Sequence, residues 1–442
     1  MNTRLSPWRV TEGMPSLPEV HSSLPIPHRS GFLRKLAAFA GPGFLVAVGY
    51  MDPGNWATDL AAGSQFNYAL LSVVLISSLM AILLQSLALK LGIVVERDLA
   101  QACHDHYSKR VSYGLWVLAE IGIAACDLAE VIGSAIALQL LFHIPLTLGV
   151  CITAGDVLLM LLLQQRGFRY IEAIVVTLIA TISICFGLEI LYSHPQIMPM
   201  LAGLLPHQEL IRNRTMLYIA VGILGATVMP HNLYLHSAIV QTRQYERTPE
   251  GKREAIKYCN IDSAIALTFA FFVNAAILVV AAAVFYRNGH REVAEITDAY
   301  KLLSPLLGVT GASMLFAVAL LASGQNSTLT GTLAGQIVME GFLNIRLKPW
   351  LRRLVTRLIA IIPAIIVSFF YGASGTAKLL IFSQVILSMQ LSFAVFPLVA
   401  FTSDKAKMGE FVNGMFLKLL SWTVAVVIAG LNVWLLVAAV RG

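Results

Sequence analysis

The chain has 442 residues, of which 57% are hydrophobic and only 12% are charged, about half of the roughly 25% charged share of soluble domains. Because so few charged side chains cannot cover the surface of a soluble globule, the composition excludes a soluble domain and indicates an α-helical membrane protein with many spans. The net charge of +7 does not indicate nucleic-acid binding, since the basic residues cluster in short loops. The five cysteines show no CxxC spacing, so we expect neither a disulfide framework nor a zinc site.

The chain divides into a short polar segment and a long apolar region. Residues 1–37 are polar and proline-rich, and we expect them to form a flexible cytoplasmic tail before a transmembrane domain at 38–442. Eleven apolar runs in that domain are long enough for a membrane helix, which needs about 20 residues. They lie near 38–62, 70–93, 115–142, 146–163, 171–193, 216–241, 261–286, 305–341, 354–371, 379–402 and 414–440. The eighth run is long enough to extend past the membrane.

The basic residues predict the topology of these spans. Lys and Arg concentrate in the amino-terminal segment and in the loops that follow the even-numbered spans. The positive-inside rule therefore places the amino terminus in the cytoplasm. With eleven spans, the carboxyl terminus lies outside.

Two of the runs carry helix breakers at their centres, Pro53 in the first and Pro230 in the sixth. Proline has no N–H, so the carbonyl four residues earlier loses its helical partner, and this frees the carbonyls of Gly49 and Ala226. Unwound backbone at mid-membrane persists only where it is buried in protein or lines a cavity. Two breaks five spans apart indicate an inverted repeat of spans 1–5 and 6–10, with a binding site where the repeats meet.

The residues at the two breaks are all electron-pair donors. They are the Asp52 carboxylate, the Asn55 amide, the Met229 thioether and the freed carbonyls of Gly49 and Ala226. Together they predict a cation site, in which the oxygens suit Mn²⁺-type ions and the soft sulfur favours transition metals over Ca²⁺ and Mg²⁺. A lone membrane Met is most often packing and proline kinks are common, but an intramembrane Asp is costly and indicates function.

Further polar residues fall within predicted spans. Asp127 and Glu130 are three residues apart and share a helix face, which suits proton carriage. The alternative is a structural pair whose carboxyl groups are satisfied by Arg or Ser neighbours. His231 and His236 could relay protons or gate, or could be hydrogen-bonded core histidines. Gln384 could be a metal ligand in one conformation or a hydrogen bond between spans.

The longest motifs are residues 49–58 and 225–237, supported by 127–130, 322–327 and 383–385. In these blocks, and over nearly the whole chain after about residue 38, the sequence resembles the Nramp family of proton-coupled divalent metal transporters, in particular its bacterial manganese-transport branch. The resemblance implies the LeuT-type fold, which has two inverted five-helix repeats, here with one additional helix. It also implies a multi-pass protein of the bacterial cytoplasmic membrane.

The resemblance implies roles for individual residues. The implied metal ligands are Asp52, Asn55, Met229, the carbonyls of Ala226 and Gly49, and Gln384 in an occluded state. The implied proton pathway is Asp52, His231, Asp127 and Glu130, with Arg352 and Arg353 near the cytoplasmic exit. The residues alone add His236 as a further candidate. Arginines in the position of Arg352 and Arg353 are most often simple positive-inside anchors. Mn²⁺ or Fe²⁺ is then cargo and H⁺ the coupling ion, so we expect no resident cofactor. Expected partners are metal ions, protons and the lipid bilayer, without nucleic acid or an obligatory partner protein.

Three other functions compete with metal–proton symport. A transporter of the same fold could carry an organic solute with Na⁺, although Asp52 at the first break opposes an anionic substrate. An intramembrane metalloenzyme is disfavoured, because the sequence has no HExxH motif and no set of three histidines within reach. A channel would conduct regardless of the proton gradient.

Overall fold

A computed structural model describes residues 31–155, 168–291, 295–345 and 375–441 of the chain. It also describes residues 16, 17, 20, 24–26 and 293, and scattered positions between 351 and 366.

The described part of the chain is almost entirely helical. The main helices are α2 (Pro42–Gly49), α3 (Pro53–Phe66), α4 (Leu71–Val95), α6 (Lys109–Phe142), α7 (Leu146–Ala154), α8 (Phe168–Ser193), α11 (Arg214–Thr227), α12 (Pro230–Ile239), α13 (Pro249–Ala281), α14 (Ile296–Leu307), α15 (Ala312–Leu343), α16 (Thr376–Thr402) and α18 (Met415–Arg441). The remaining helices are α1 (Phe32–Phe39), α5 (Leu99–His106), α9 (Ile197–Ala202), α10 (Glu209–Arg212) and α17 (Lys405–Met408). A two-residue parallel pair joins β1 (Leu24–Pro25) to β2 (Arg243–Gln244).

The helices agree with the predicted spans over most of the chain. Within the described residues, seven helices are long and apolar enough to cross a membrane, or eight when the bent pair α1–α2 is counted as one. The protein is therefore a multi-pass membrane protein. The predicted ninth span, 354–371, lies mostly outside the described residues, and the fourth is described only as far as Gly155.

The predicted eighth span is wrong in its outer part. The apolar run 305–341 is not one helix, because α14 ends before Gly308 and α15 begins after Gly311. Gly308 has φ +66° and Gly311 has φ +101°, a left-handed conformation that glycine adopts without a Cβ clash. The outer connection between α13 and α15 therefore contains a helix of its own.

Glycines let the broken helices pack closely against their neighbours. A Cβ on Gly63 of α3 would lie 2.3 Å from the carbonyl oxygen of Leu278 in α13, and one on Gly225 of α11 would lie 2.1 Å from that of Gln384 in α16. Small residues at such crossings allow the helix backbones to approach each other. These contacts fix the two breaks inside the bundle.

The described residues of the predicted tail lie against the helices rather than free of them. Leu17 is buried in the main core, and Ile26 packs in a second apolar cluster with Phe39 and residues of α4 and α13. The Ser16 hydroxyl donates to Asp98, which caps α5. These contacts bury apolar side chains, which a tail free of the helices would leave exposed. The division of the chain at residue 38 stays a prediction.

One buried arginine joins the start of the first span to other helices. Arg243 of β2 donates from Nη2 to the Ala40 carbonyl at 2.8 Å and to Glu172 of α8 at 2.6 Å. Asp262 of α13 accepts the backbone N–H groups that begin α2, including Gly43 at 2.7 Å. The segment before α2 is therefore held by hydrogen bonds to two buried charged groups, Arg243 and Asp262.

Candidate metal-binding site

The first break places a carboxylate at the start of α3. Helix α2 ends at Gly49 and α3 begins at Pro53, so Asp52 becomes the N-cap and accepts the Asn55 N–H at 2.9 Å. Neighbouring helices stabilise the unwound backbone, because Asn274 donates to the Tyr50 carbonyl at 2.8 Å and Ser323 donates to that of Met51. The Gly49 carbonyl has no helical donor because residue 53 is proline.

The second break places a thioether opposite that carboxylate. Helix α11 ends at Thr227 and α12 begins at Pro230, with Met229 between them as N-cap. Met229 packs with Cys126 of α6 and Leu387 of α16. The Cys126 Sγ also lies 3.9 Å from Asp52 Oδ2. Cys126 therefore connects the carboxylate of the first break with the sulfur of the second.

Gln384 of α16 lies directly against the first break. A Cβ on Gly54 would be only 1.8 Å from Gln384 Nε2, so the absence of a side chain at residue 54 makes room for this amide. Nε2 donates to Ser383 at 3.0 Å, while Oε1 has no partner among the described residues. The amide therefore has an acceptor oxygen available at the site.

The donor groups at the breaks are closed off from solvent. Asp52, Met229, Ala226 and Gln384 are 0% exposed and Asn55 is 1% exposed. The Asn55 Oδ1 has no hydrogen-bond partner in the described part of the chain. Since an unsatisfied buried oxygen is costly, these groups suit an ion that enters and leaves.

The chemistry of the donor set fits a transition-metal ion in transit rather than a permanently bound one. The described residues contain no cluster of three His, Cys, Asp or Glu side chains that could hold a metal. The site has instead one carboxylate, two amide oxygens, one thioether and backbone carbonyls. Oxygen and thioether ligands of this kind suit Mn²⁺ and related ions.

An acidic pair on α6 lies next to the site. Glu130 accepts from Ser327 at 2.9 Å and from Thr328 at 3.1 Å, both on α15, and lies 3.7 Å from the Cys126 sulfur. A Cβ on Gly331 would meet Glu130 at 2.9 Å and Asp127 at 3.6 Å. The two acids therefore share one face, as their spacing predicts, and that face packs on α15.

The two histidines of α12 have different surroundings. His231 is 3% exposed and interacts electrostatically with Asp127. His236 Nδ1 lies 2.9 Å from Gln85 Oε1, and Gln85 Nε2 donates to the Tyr50 hydroxyl at 2.6 Å. His231 therefore faces the acidic pair, and His236 belongs to a separate polar chain. Arg352 and Arg353 lie outside the described residues.

Sequence reasoning missed Cys126 and the hydroxyl partners of Glu130. The sequence gives Cys126 no CxxC partner for a disulfide or a zinc site. Its position four residues before Glu130, on the same face of α6, was the available signal. Ser327 and Thr328 carried no such signal, because only the packing of α15 on α6 brings them to Glu130.

Two broken helices that enclose buried donors, within a bundle of membrane helices, define a secondary transporter of the inverted-repeat class. Residues 43–438 match the family model described as Natural resistance-associated macrophage protein-like. The chain belongs to this family, Nramp. It is 66% identical over 429 residues to the Listeria innocua protein named divalent metal cation transporter MntH, covering 97% of this chain and 96% of that one.

Solved structures agree with this assignment. The Eremococcus coleocola manganese transporter, solved with an aromatic bis-isothiourea substituted compound, superposes with a TM-score of 0.88 at 44% identity, over 95% of this chain and 90% of that one. Mhp1, a nucleobase-cation-symport-1 family transporter solved in a closed conformation with bromovinylhydantoin, superposes at 0.58 with 16% identity, over 94% of this chain and 91% of that one. The second likeness shows the fold alone. The predicted LeuT-type fold with broken first and sixth spans is thereby confirmed.

Proposed function

We propose that this protein is a proton-coupled symporter that imports divalent transition metal ions, Mn²⁺ and also Fe²⁺, into the cytoplasm of a bacterium. The observation that carries the proposal is the enclosed donor set at the two breaks, with Asp52 and Met229 joined through Cys126. The names of the Listeria and Eremococcus relatives support a divalent metal cargo. The metal is cargo, and no resident cofactor takes part.

The ligands explain the choice of cargo. Asp52 supplies the charge that draws a dication into a low-dielectric site, and the oxygens of Asn55 and Gln384 and the carbonyls of Gly49 and Ala226 replace part of its water shell. The Met229 sulfur binds Mn²⁺ and Fe²⁺ better than it binds Ca²⁺ or Mg²⁺, because softer metals prefer softer ligands. Selectivity against the abundant hard cations therefore depends on Met229.

The proton path begins at Asp52 and continues along groups that are not metal ligands. Asp52 releases its proton when the dication binds, and Cys126 and Glu130 provide neighbouring groups on α6, with Asp127 and His231 beside them. His236 lies on the Gln85–Tyr50 chain, which suits gating better than relay. Arg352 and Arg353 remain candidates for the cytoplasmic exit.

Alternating access follows from the inverted repeat. With the amino terminus in the cytoplasm and the carboxyl terminus outside, rocking of one set of helices against the other opens the enclosed site first outward and then inward. The transporter domain spans residues 38–442 and the membrane is the bacterial cytoplasmic membrane.

A symporter of an organic solute is the second candidate, and the fold shared with Mhp1 is the observation that favours it. The enclosed site opposes it, because Asp52 repels anionic solutes and Gln384 fills the space against Gly54. Competition of amino acids or nucleobases with Mn²⁺ uptake would favour this candidate.

The test is Mn²⁺ uptake into proteoliposomes that contain a pH-sensitive dye. We expect saturable uptake with internal acidification in the native protein, and loss of both in Asp52→Asn. Glu189→Gln on α8 is the matched control, since it also neutralises a buried acid but lies on a helix that carries none of the candidate ligands. Uptake without acidification would refute proton coupling, and no uptake of Mn²⁺, Fe²⁺ or Cd²⁺ by folded protein would refute the metal cargo.

A further inference from the structure

Most buried acids in the described part of the chain have donors that explain them. Asp98 accepts from Ser16 and Gln101, Glu130 from Ser327 and Thr328, and Asp262 from Gly41 and Gly43. Glu172 pairs with Arg243. Such acids are accounted for by the contacts that they stabilise.

Asp59 is different, because it is 1% exposed and neither carboxyl oxygen has a hydrogen-bond partner among the described residues. An intramembrane carboxylate costs about 2.5 kcal/mol or more, and here no donor offsets that cost. A structural role therefore does not explain the residue. Glu189 on α8 is likewise buried with both oxygens without a partner, but α8 carries none of the candidate ligands.

The position of Asp59 relates it to the site. Asn55 and Asp59 are four residues apart in α3, so they share one helix face about 6 Å apart along the axis. Helix α3 runs from the break toward the side opposite the amino terminus, so Asp59 lies on the outer side of Asn55. The carboxyl groups of Asp59 and Asp52 interact electrostatically.

A second oxygen without a partner lies on α13, which packs along α3. Helices α3 and α13 run in the same direction and touch where Gly63 meets Leu278. Asp59 is one turn before Gly63, and Asn274 is one turn before Leu278. The Asn274 Oδ1 is buried without a partner, while its Nδ2 holds the Tyr50 carbonyl. The contact between α3 and α13 thus contains an amide oxygen without a partner beside the first break and, further along α3, the carboxylate of Asp59.

We propose that Asp59 is a transient cation-binding residue on the outer side of the site, which takes the divalent ion from the exterior and passes it to Asn55 and Asp52. A lone carboxylate binds a dication weakly, so the ion does not stop there. When the site is open to the outside and the Asp59 carboxylate is hydrated and ionised, its negative charge raises the local cation concentration outside the central ligands and speeds association. This inference rests on the proposed metal transport.

The test compares Asp59→Asn, which keeps the side-chain shape, with Glu189→Gln, which neutralises another buried acid whose oxygens have no partner among the described residues. In Mn²⁺ uptake by proteoliposomes, we expect Asp59→Asn to raise KM about tenfold, at the lower end of the gain from focused charge, with maximal uptake within about twofold of native. The equilibrium Mn²⁺ affinity of the purified protein, measured by calorimetry, should stay within about twofold of native. Glu189→Gln should match the native protein in both measurements.

Three results would overturn the proposal. The first is a native KM in Asp59→Asn. The second is an equal loss of equilibrium affinity and KM, which would make Asp59 part of the central site. The third is a native KM with a shifted pH profile of uptake, which would assign the residue to the proton. Asp59→Ser is the second variant if the asparagine variant is not recovered as folded protein. Failure of the native protein to take up Mn²⁺ would instead refute the proposed function.

Discussion

The contact between Gly54 and Gln384 gives a sharp test of the site geometry. In Gly54→Ala, the new Cβ would lie 1.8 Å from Gln384 Nε2 and 2.3 Å from its Cδ. Ordinary contacts begin at 3.4 Å, so the amide must retreat by about 1.6 Å into a packed interior. Overpacking of this kind costs about 1–3 kcal/mol, and the gain of about 1 kcal/mol from replacing a helical glycine offsets only part of it.

We therefore expect Gly54→Ala to lower the melting midpoint of the purified protein by a few degrees and to reduce Mn²⁺ uptake at least tenfold, because the Gln384 oxygen leaves the site. Gly187→Ala on α8 is the matched control, since no atom lies within 4 Å of its added Cβ. It should melt at or slightly above the native midpoint, with native uptake.

The double variant Gly54→Ala/Gln384→Ala separates the clash from other effects. Removing the amide should restore the melting midpoint toward that of Gln384→Ala alone, although uptake stays low because a ligand is missing. If Gly54→Ala melts and transports like the native protein, Gln384 does not lie against the first break, and the geometry described above is refuted.

Three further predictions concern the site and its supports. Met229→Ala should keep part of its Mn²⁺ uptake but lose discrimination against Ca²⁺, measured by competition in proteoliposomes, and unchanged selectivity would refute the role of sulfur. Glu172→Gln leaves the buried guanidinium of Arg243 without its counter-charge and should cost about 3 kcal/mol or more in stability. The double variant Glu172→Leu/Arg243→Met should cost less than the sum of the two single changes, and additive losses in the melting series would contradict a coupled pair. Burial raises the pKa of Asp98 from 3.8 to about 6, so the folded protein holds this proton more tightly than the unfolded chain does. The resulting stabilisation is complete below pH 4 and is lost as pH rises through 6, and the free energy of unfolding falls by on the order of 3 kcal/mol. Asp98→Asn keeps the helix cap and should make the melting midpoint change less with pH between pH 4 and 7. An unchanged dependence of the midpoint on pH would exclude Asp98 as its source.

The two breaks could be predicted from the sequence because their cause is local. Pro53 and Pro230 each remove one backbone donor wherever the rest of the protein lies. The donors at the breaks follow from the same positions, since Asp52 and Met229 each directly precede a proline. A mid-membrane break can therefore be predicted without knowing which helices surround it.

The error in the eighth span also has a local cause that hydropathy does not show. Gly308 and Gly311 lie within an apolar run, and composition alone extends the helix through both. Only the backbone conformation reveals that the chain turns there, with positive φ at each glycine. Apolar runs therefore predict that a membrane helix exists more reliably than they predict where it begins.

The contacts between distant helices could not be predicted, because they depend on which faces meet. Cys126 reaches Asp52 across 74 residues of sequence, and Gln85 links Tyr50 with His236 from a different helix. Each pairing needs the relative rotation of two helices, and the apolar pattern of a membrane helix hardly specifies this because most of its faces are apolar.

The glycines around the site indicate how it closes. Gly54 receives the amide of Gln384, Gly49 the amide of Asn232 at 2.2 Å from an added Cβ, and Gly331 the carboxyl of Glu130. In each of these three cases a polar side chain, and not an apolar one, fills the space that the missing Cβ leaves. A polar side chain that leaves such a surface can be hydrated or can bind the cation, so opening does not expose a large apolar face to water. On the proposed mechanism, movement of α16 away from α3 would uncover Gly54 and free the Gln384 amide together, and the same step would open the path to Asp52 from outside.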